Sequence, residues 1–274
     1  MRKLSILTAV ALTGCAMPTT PSAKDAARDR LARSSYAAPG GLQVSMLSRG
    51  NPEDRRVIFV HGTPGSAVGW EHYVRSPEPG TEAIAIDRPG FGATRPGEAL
   101  VSLKTQAAAI APLLVERGGS WPILVGHSLG GPIIAQVAAD NPGKVGGLLI
   151  LAGAFDPGLE KINPMQPIGE WPLVRALLPA RFRNANRELL GLKPQLVALA
   201  PRLANLRCRV TIIHGTKDDL VPYANVAFLR SHLTGVAALT VETIEGQNHF
   251  IVWNQESRVE AALAGLLAAP SPTC

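Results

Sequence analysis

The pentapeptide Gly-His-Ser-Leu-Gly at residues 126–130 places one serine between two glycines, directly after an apolar run. A serine hydroxyl becomes a useful nucleophile only when a neighbouring base removes its proton. Side chains at 126 and 130 would collide with the neighbouring strand and helix, whereas glycines allow a strained turn that exposes the hydroxyl of Ser128. The pentapeptide therefore indicates a nucleophilic serine or, alternatively, a plain hydroxyl in a tight turn.

The elements that must position Ser128 are predicted from apolar runs that alternate with stretches of helical spacing. We expect strands at 42–48, 56–62, 82–87, 121–128, 145–153, 209–215 and 238–244, and helices at 100–118, 129–143, 223–233 and 256–268. Near-continuous apolar strands separated by helices predict an α/β fold with a mostly parallel sheet that helices cover on both faces. Such sheets bind ligands beyond the carboxyl ends of their strands, where Ser128 falls.

With Gly-x-Ser-x-Gly between a strand and a helix, the chain resembles the α/β-hydrolase superfamily, of the serine esterase and lipase kind. The resemblance implies the α/β-hydrolase fold and the chain order serine, acid, histidine. Asp218 in HGTKDDLVP and His249 in EGQNHF each follow a predicted strand and match the family's acid and histidine positions. The resemblance thus implies that His249 removes the proton of Ser128 and that Asp218 orients the imidazole ring.

Other acids and histidines were weighed for the same roles. Asp219 is expected to face solvent from its short loop, and Asp156 follows the preceding strand, where some family members carry the acid. His61, His127 and His214 are expected to be hydrogen-bonded packing residues. Motif spacing favours Asp218 as the acid.

A tetrahedral intermediate also needs hydrogen-bond donors for its negative oxygen. The resemblance implies the backbone N–H of Leu129 and that of Thr63, in the loop HGTPGS at 61–66. An ordinary glycine and proline turn is the alternative for that loop. The segment DRPGFGAT at 87–94 resembles another loop of the family, and we expect it to shape the site without chemistry of its own.

The amino-terminal residues have the charged, apolar and small regions of a secretory signal. The sequence Leu-Thr-Gly-Cys at 12–15 resembles the lipobox of bacterial lipoprotein precursors, which implies cleavage before Cys15 and acylation of that cysteine, as by palmitate. Ala16 resembles a signal for outer-membrane sorting. The expected location is the bacterial cell envelope, lipid-anchored at the periplasmic side of the outer membrane rather than at the inner membrane. A cleaved signal with an unmodified cysteine is the alternative.

The chain divides by composition into a signal peptide at 1–14, a tether at 15–41, a core at 42–153 and 208–274, and a helical cap at 154–207. Apolar residues of the cap are expected to pack it onto the core more than to contact substrate. They are Trp171, Leu173, Val174, Leu177, Leu178 and Phe182.

Composition excludes several other classes of protein. Lys and Arg number 27 against 21 Asp and Glu, without a run of like charges, so a nucleic-acid partner is not predicted. No CxxC pair or HExxH motif indicates a metal site, and the family resemblance implies no cofactor. Cys208 and Cys274 either pair in an oxidising compartment or remain free thiols.

The resemblance implies a membrane-anchored serine hydrolase that cleaves carboxylic esters, with an apolar acyl group, through an acyl-enzyme on Ser128. The same three side chains serve acyltransferases, cofactor-free haloperoxidases and C–C bond hydrolases, and a non-catalytic scaffold lipoprotein would keep the fold. These alternatives stay open. Serine at 128 argues against haloalkane dehalogenases and epoxide hydrolases, whose nucleophile is an aspartate.

Overall fold

The computed structural model describes residues 31–161, 166–269 and 272–274, and these residues form one eight-stranded sheet. The strands are β1 (Ala32–Ala38), β2 (Leu42–Arg49), β3 (Arg55–Val60), β4 (Thr81–Ile86), β5 (Ile123–His127), β6 (Gly147–Leu151), β7 (Arg209–Gly215) and β8 (Ala238–Ile244). Their order is β1-β2-β4-β3-β5-β6-β7-β8. β2 pairs antiparallel with β1 and β4, and every other pair is parallel. The predicted α/β class with a mostly parallel sheet is confirmed.

Helices cover both faces of this sheet. The α-helices are α1 (Glu71–Arg75), α2 (Leu103–Ile110), α3 (Gly130–Asp140), α4 (Pro172–Leu177), α5 (Ala180–Leu199), α6 (Asn225–His232), α7 (Ile251–Asn254) and α8 (Glu256–Ala268). Helices α2, α3 and α6 contribute to the apolar core on one face, and α1 and α8 to the core on the other. Every residue of β4, β5 and β6 is buried, which explains why these strands read as continuous apolar runs.

The order of the strands fixes the place of the site. β4 lies on one side of β3 and β5 lies on the other, so the chain reverses its direction of travel across the sheet between β3 and β5. Loops that leave the carboxyl ends of strands on either side of such a reversal separate and form a crevice. The loop at 61–66 follows β3 and Ser128 follows β5, so both lie at this crevice.

The predicted tether is wrong at its carboxyl end, because residues 32–38 form the edge strand β1. This strand pairs with β2 along its whole length, from Ala32 opposite Ser48 to Ala38 opposite Leu42. Most of its side chains are exposed, so it lacks the apolar alternation from which a strand is predicted. The signal peptide, Cys15 and the rest of the tether up to residue 30 lie outside the described residues.

The segment between β6 and β7 contains α4 and α5. Helix α5 buries one side against the core, including Asn184, Glu188 and Leu192. The prediction that the cap's apolar residues pack onto the core is wrong for four of them, whose side chains are exposed: Trp171, Leu173, Leu177 and Phe182.

Cys208 and Cys274 form a disulfide that joins the start of β7 to the chain's carboxyl end. The backbone of Cys274 also pairs with Val145, through N–H donation to its carbonyl at 2.8 Å. Among the described residues, no helix combines the length and the apolar character needed to cross a bilayer.

Candidate active site

Ser128 occupies the sharp turn between β5 and α3 in a backbone conformation that residues with a side chain rarely adopt. Its φ is 55°, and its N–H donates to the carbonyl of Leu151 on β6 at 3.0 Å. A left-handed conformation at a non-glycine residue costs about 1–3 kcal/mol and persists only where the surroundings enforce it. The strained turn therefore presents the hydroxyl of Ser128 at the crevice.

Three glycines make room for this turn. A Cβ at Gly126 would overlap the carbonyl of Gly130, and a Cβ at Gly130 would overlap the carbonyl of Val60 on β3. These overlaps confirm the collisions predicted from the pentapeptide. A Cβ at Gly62 would lie 2.7 Å from the Cβ of Ser128, so the loop after β3 runs directly against the serine.

Asp218 and His249 follow β7 and β8 and form a hydrogen bond of 2.7 Å between Asp218 Oδ2 and His249 Nδ1. Asp218 Oδ1 accepts from the N–H groups of Leu220 at 3.0 Å and Val221 at 2.8 Å. Burial by itself would raise the pKa of Asp218, but the hydrogen bonds from His249 and Val221 outweigh it and hold the pKa below its usual value. The ionised carboxylate accepts a hydrogen bond from the Nδ1–H group, so Nε2 of His249 keeps its lone pair.

Ser128 and His249 line one cavity of about 460 Å³ at the crevice between the loops that follow β3 and β5. Most of its wall is apolar and comes from the loop after β3, helix α5, the loop after β7, and α7 with the residue before it. These residues include Pro64, Trp70, Leu189, Leu192, Val221, Phe250, Val252 and Trp253. Among the described residues no Lys or Arg lines the cavity, and Glu160 contributes a carboxyl. Such a cavity suits an apolar, uncharged group.

Thr63 and Leu129, the two predicted backbone donors, both line this cavity. Within the described part of the chain neither backbone N–H donates a hydrogen bond to a protein acceptor. The hydroxyl of Thr63 is buried and also lacks a partner among these residues. The two N–H groups are therefore available to an oxygen atom in the cavity.

The alternative acids and histidines do not form the Asp218–His249 contact, although His61 and His127 also line the cavity. Asp219 is exposed, and Asp156 Oδ1 accepts from the N–H of Gly158 at 2.7 Å, without a contact to His249. The expectation that His127 and His214 are buried and hydrogen-bonded is confirmed. His127 Nε2 donates to the carbonyl of His249 at 3.0 Å, and His214 Nε2 donates to that of Val221 at 2.9 Å.

His61 is buried as well, and both of its ring nitrogens are hydrogen-bonded. Nδ1 lies 2.7 Å from the carbonyl of Gly62, and Nε2 accepts from the N–H of Arg88 at 3.0 Å. Burial, with Arg88 as a second cause, lowers the pKa of His61 to about 3. Burial, followed by the charge of His249, likewise lowers the pKa of His127 to about 3.

These two histidines predict that the protein loses stability in mild acid. Their folded pKa lies below the unfolded value of 6.5, so the unfolded chain binds more protons between about pH 6.5 and 3. Stability is full above pH 6.5 and falls below it, by at most about 1.4 kcal/mol per pH unit for each histidine. Urea unfolding at pH 7.5, 6.5 and 5.5 measures this slope. His127→Gln, which retains a side-chain donor but does not titrate, should remove about one histidine's share, and an unchanged slope would contradict the assignment.

Arg88 and Glu188 are charged residues beside the site that the sequence reasoning did not single out. Both side chains are fully buried, and they form an ion pair at 2.7 Å. Arg88 belongs to the segment DRPGFGAT, to which we assigned no chemistry, and its charge inside an otherwise Gly- and Pro-rich loop was the available signal. Glu188 lies on α5 within a charged helical stretch and gave no such signal.

The chain is similar in sequence to a known protein family and to individual proteins. A family model described as the alpha/beta hydrolase fold matches residues 55–207. The chain is 27% identical over 236 residues to the dihydrolipoyllysine-residue acetyltransferase component of the acetoin cleaving system of Cupriavidus necator, a match that covers 75% of this chain. It spans only 63% of that protein's length.

Two further proteins are similar to this chain over most of their own length and over most of its length. The chain is 25% identical over 260 residues to a 2-hydroxy-6-oxononadienedioate/2-hydroxy-6-oxononatrienedioate hydrolase of Escherichia coli, covering 79% of this chain and 88% of that one. Its fold superposes on that of a bacterial membrane phospholipase A with a TM-score of 0.64 and 22% identity, covering 87% of each chain. The shared fold therefore extends well beyond residues 55–207.

Proposed function

Because this chain belongs to the α/β-hydrolase family, we propose that it hydrolyses carboxylic esters with Ser128 as the nucleophile. The observation that carries the proposal is the hydrogen bond between Asp218 and His249 at the cavity where a strained turn presents Ser128. A buried carboxylate, a histidine with a free Nε2 and a serine are the groups that acyl transfer through serine requires.

In the first half of the reaction, Ser128 Oγ attacks the carbonyl carbon of the ester while His249 Nε2 takes the hydroxyl proton. The carbonyl oxygen becomes an oxyanion that accepts from the N–H groups of Thr63 and Leu129. The carboxylate of Asp218 stabilises the imidazolium. The bond to the alcohol oxygen then breaks, His249 returns the proton to that oxygen, and an acyl group remains on Ser128.

In the second half, water replaces the alcohol. His249 removes a proton from the water as its oxygen attacks the acyl carbon, and the same two N–H groups donate to the second oxyanion. The bond to Ser128 Oγ breaks, and His249 gives the proton back to the serine. The products are a carboxylic acid and the free enzyme.

The cavity favours a neutral ester with an apolar acyl group. Its apolar wall suits an acyl chain, and the absence of Lys and Arg among its described lining residues leaves no cation to pair with a substrate carboxylate. The similar protein of Escherichia coli is named as a hydrolase of dicarboxylate substrates, and C–C bond hydrolysis is one of the reactions that the same three side chains serve. That reaction is the second candidate here, and Glu160 in the wall would repel its charged substrate.

We further propose that the protein acts in the bacterial cell envelope, anchored through an acylated Cys15 at the outer membrane. The disulfide between Cys208 and Cys274 supports an oxidising compartment. One of the similar solved structures is that of a bacterial membrane phospholipase A. Mass spectrometry of the amino terminus of the mature protein tests the anchor, and an unacylated first residue would contradict it.

A substrate panel tests the reaction. We expect a burst of p-nitrophenol from neutral p-nitrophenyl esters, covalent labelling of Ser128 by a fluorophosphonate, and no turnover of a 2-hydroxy-6-oxo-dienedioate. Varying the acyl chain from two to about twelve carbons measures the reach of the cavity. Preferred turnover of the dienedioate would select the C–C hydrolase. Folded protein that shows neither turnover nor labelling would reject the enzyme altogether.

A further inference from the structure

Arg88 joins the cap to the core through a fully buried ion pair. Its Nη1 lies 2.7 Å from Oε1 of Glu188 on α5, and its Nη2 lies 3.1 Å from Oε2. Gln106 on α2 completes the cluster, because its amide N–H donates to Glu188 Oε1 at 2.7 Å and its carbonyl oxygen accepts from Arg88. Glu188 on α5 and Gln106 on α2 therefore hold the guanidinium in one orientation together.

The same guanidinium reaches the loop after β3. Arg88 Nη2 donates to the carbonyl oxygen of Gly62 at 2.8 Å. His61 Nε2 accepts from the backbone N–H of Arg88, so the ring proton lies on Nδ1, which donates to the same Gly62 oxygen at 2.7 Å. Two donors, one of them charged, thus hold a single carbonyl group.

The carbonyl carbon of Gly62 is bonded to the backbone nitrogen of Thr63, whose N–H donates to the oxyanion in the proposed reaction. The C=O of Gly62 and the N–H of Thr63 belong to one planar peptide unit and point in opposite directions. Fixing the oxygen therefore fixes the direction of the N–H. A positive charge at the oxygen also polarises the peptide and strengthens the N–H as a donor, since hydrogen bonds in a chain polarise one another.

We propose that Arg88, held by Glu188 of the cap, is a positioning residue that aims and polarises the Gly62–Thr63 peptide toward the oxyanion. The inference rests on the proposed ester hydrolysis. It adds that the position of the cap helix α5 against the core determines how well the N–H of Thr63 donates to the oxyanion. Glu188 is the residue of α5 that contacts Arg88, and it does not itself line the cavity, which α5 reaches through Leu189 and Leu192.

The geometry of Arg88 is not what stability alone would select. A buried ion pair is often no more stabilising than apolar residues of the same volume. Nε of Arg88 is moreover buried without a partner among the described residues, which carries a desolvation cost. The side chain keeps its contact with Gly62 despite that unpaired donor, as a positioning role requires.

The test compares two double variants, one of which removes the fully buried Arg88–Glu188 pair and the other a largely buried ion pair elsewhere. Arg88→Met with Glu188→Gln removes the charge pair and the donor to Gly62, while the new amide at position 188 can still bond to Gln106. Arg56→Met with Glu82→Gln is the control, because that pair, at 2.7 Å, lies at the amino ends of β3 and β4, away from the cavity.

The readouts are kcat and KM for p-nitrophenyl butyrate and the Ki of a trifluoromethyl ketone, which binds serine hydrolases as a tetrahedral adduct with an oxyanion. Outright loss of one oxyanion donor costs about 10²- to 10³-fold in kcat, so misdirection of one should cost about 10- to 100-fold. We expect that loss in kcat for the Arg88 variant, a matching rise in Ki and a KM within about threefold. The Arg56 control should leave all three constants unchanged.

Three outcomes separate the proposals. Unchanged kcat and Ki in a folded Arg88 variant, with an active wild type, would overturn the positioning role and leave ester hydrolysis standing. A wild type without turnover or labelling contradicts both. If the double variant does not fold, Arg88→Lys replaces it in the test, because lysine retains the charge but not the planar guanidinium. An intermediate loss of kcat with a parallel rise in Ki then supports the proposal. Wild-type values of kcat and Ki contradict it.

Discussion

Replacement of Ser128 by alanine is expected to lower kcat/KM for a neutral p-nitrophenyl ester by at least about 10⁴-fold, because no acyl-enzyme can form without the hydroxyl. The residual rate would come from His249 and the backbone donors acting on water. A burst-phase assay and fluorophosphonate labelling both measure the loss. Labelling of the alanine variant at another residue, or more than about one hundredth of the wild-type rate, would contradict Ser128 as the nucleophile.

The backbone of the same residue supplies the control for folding. Alanine has to occupy the same left-handed conformation, φ 55°, so the free energy of unfolding should stay within about 1 kcal/mol of wild type. Ser128→Gly relieves the strain and should be about 1 kcal/mol more stable than the alanine variant, yet equally inactive. Inactive variants of normal or higher stability separate a chemical role for Ser128 from a structural one.

The central sheet could be predicted from the sequence because burial on both faces leaves a plain signal. β4, β5 and β6 consist of buried residues throughout, and their apolar runs stand out against the polar loops. β1 could not be predicted in this way, since an exposed edge strand is held mainly by its backbone pairing with β2. Its Ala- and Ser-rich sequence resembled a tether for that reason.

The candidate site shows the same division. Asp218 and His249 were predictable because each directly follows a strand, and parallel strands bring such loops to one edge of the sheet. The contact of Arg88 with Glu188 joins residues 100 positions apart and depends on the path of the cap. Local spacing carries no information about that path, and it also misplaced the cap's apolar residues, since Leu189 and Leu192 reach the cavity while Trp171 is exposed.

Asp218→Asn is expected to lower kcat by about 10⁴-fold with little change in KM, because it would place the imidazole of His249 in the wrong tautomer. Asp218 Oδ1 accepts from the N–H groups of Leu220 and Val221, so an amide oxygen at position 218 must stay on that side. The amide N–H₂ then faces His249 Nδ1 and donates to it, which moves the ring proton to Nε2, where a free lone pair is needed for catalysis.

The neighbouring acid gives a matched control for this substitution. Asp219→Asn makes the same replacement of a carboxylate oxygen by an NH₂ group at an exposed position. It should leave kcat within about twofold, because Asp219 has no contact with His249. Measurement of kcat and KM for both variants on one ester distinguishes the two carboxylates. Burial alone would raise the pKa of Asp218, but the hydrogen bonds from His249 Nδ1 and the N–H of Val221 outweigh it and lower the pKa. Protonation of this carboxylate should therefore cause no loss of wild-type kcat above about pH 4. A loss of activity in Asp219→Asn together with full activity in Asp218→Asn would move the role of the acid to the adjacent residue.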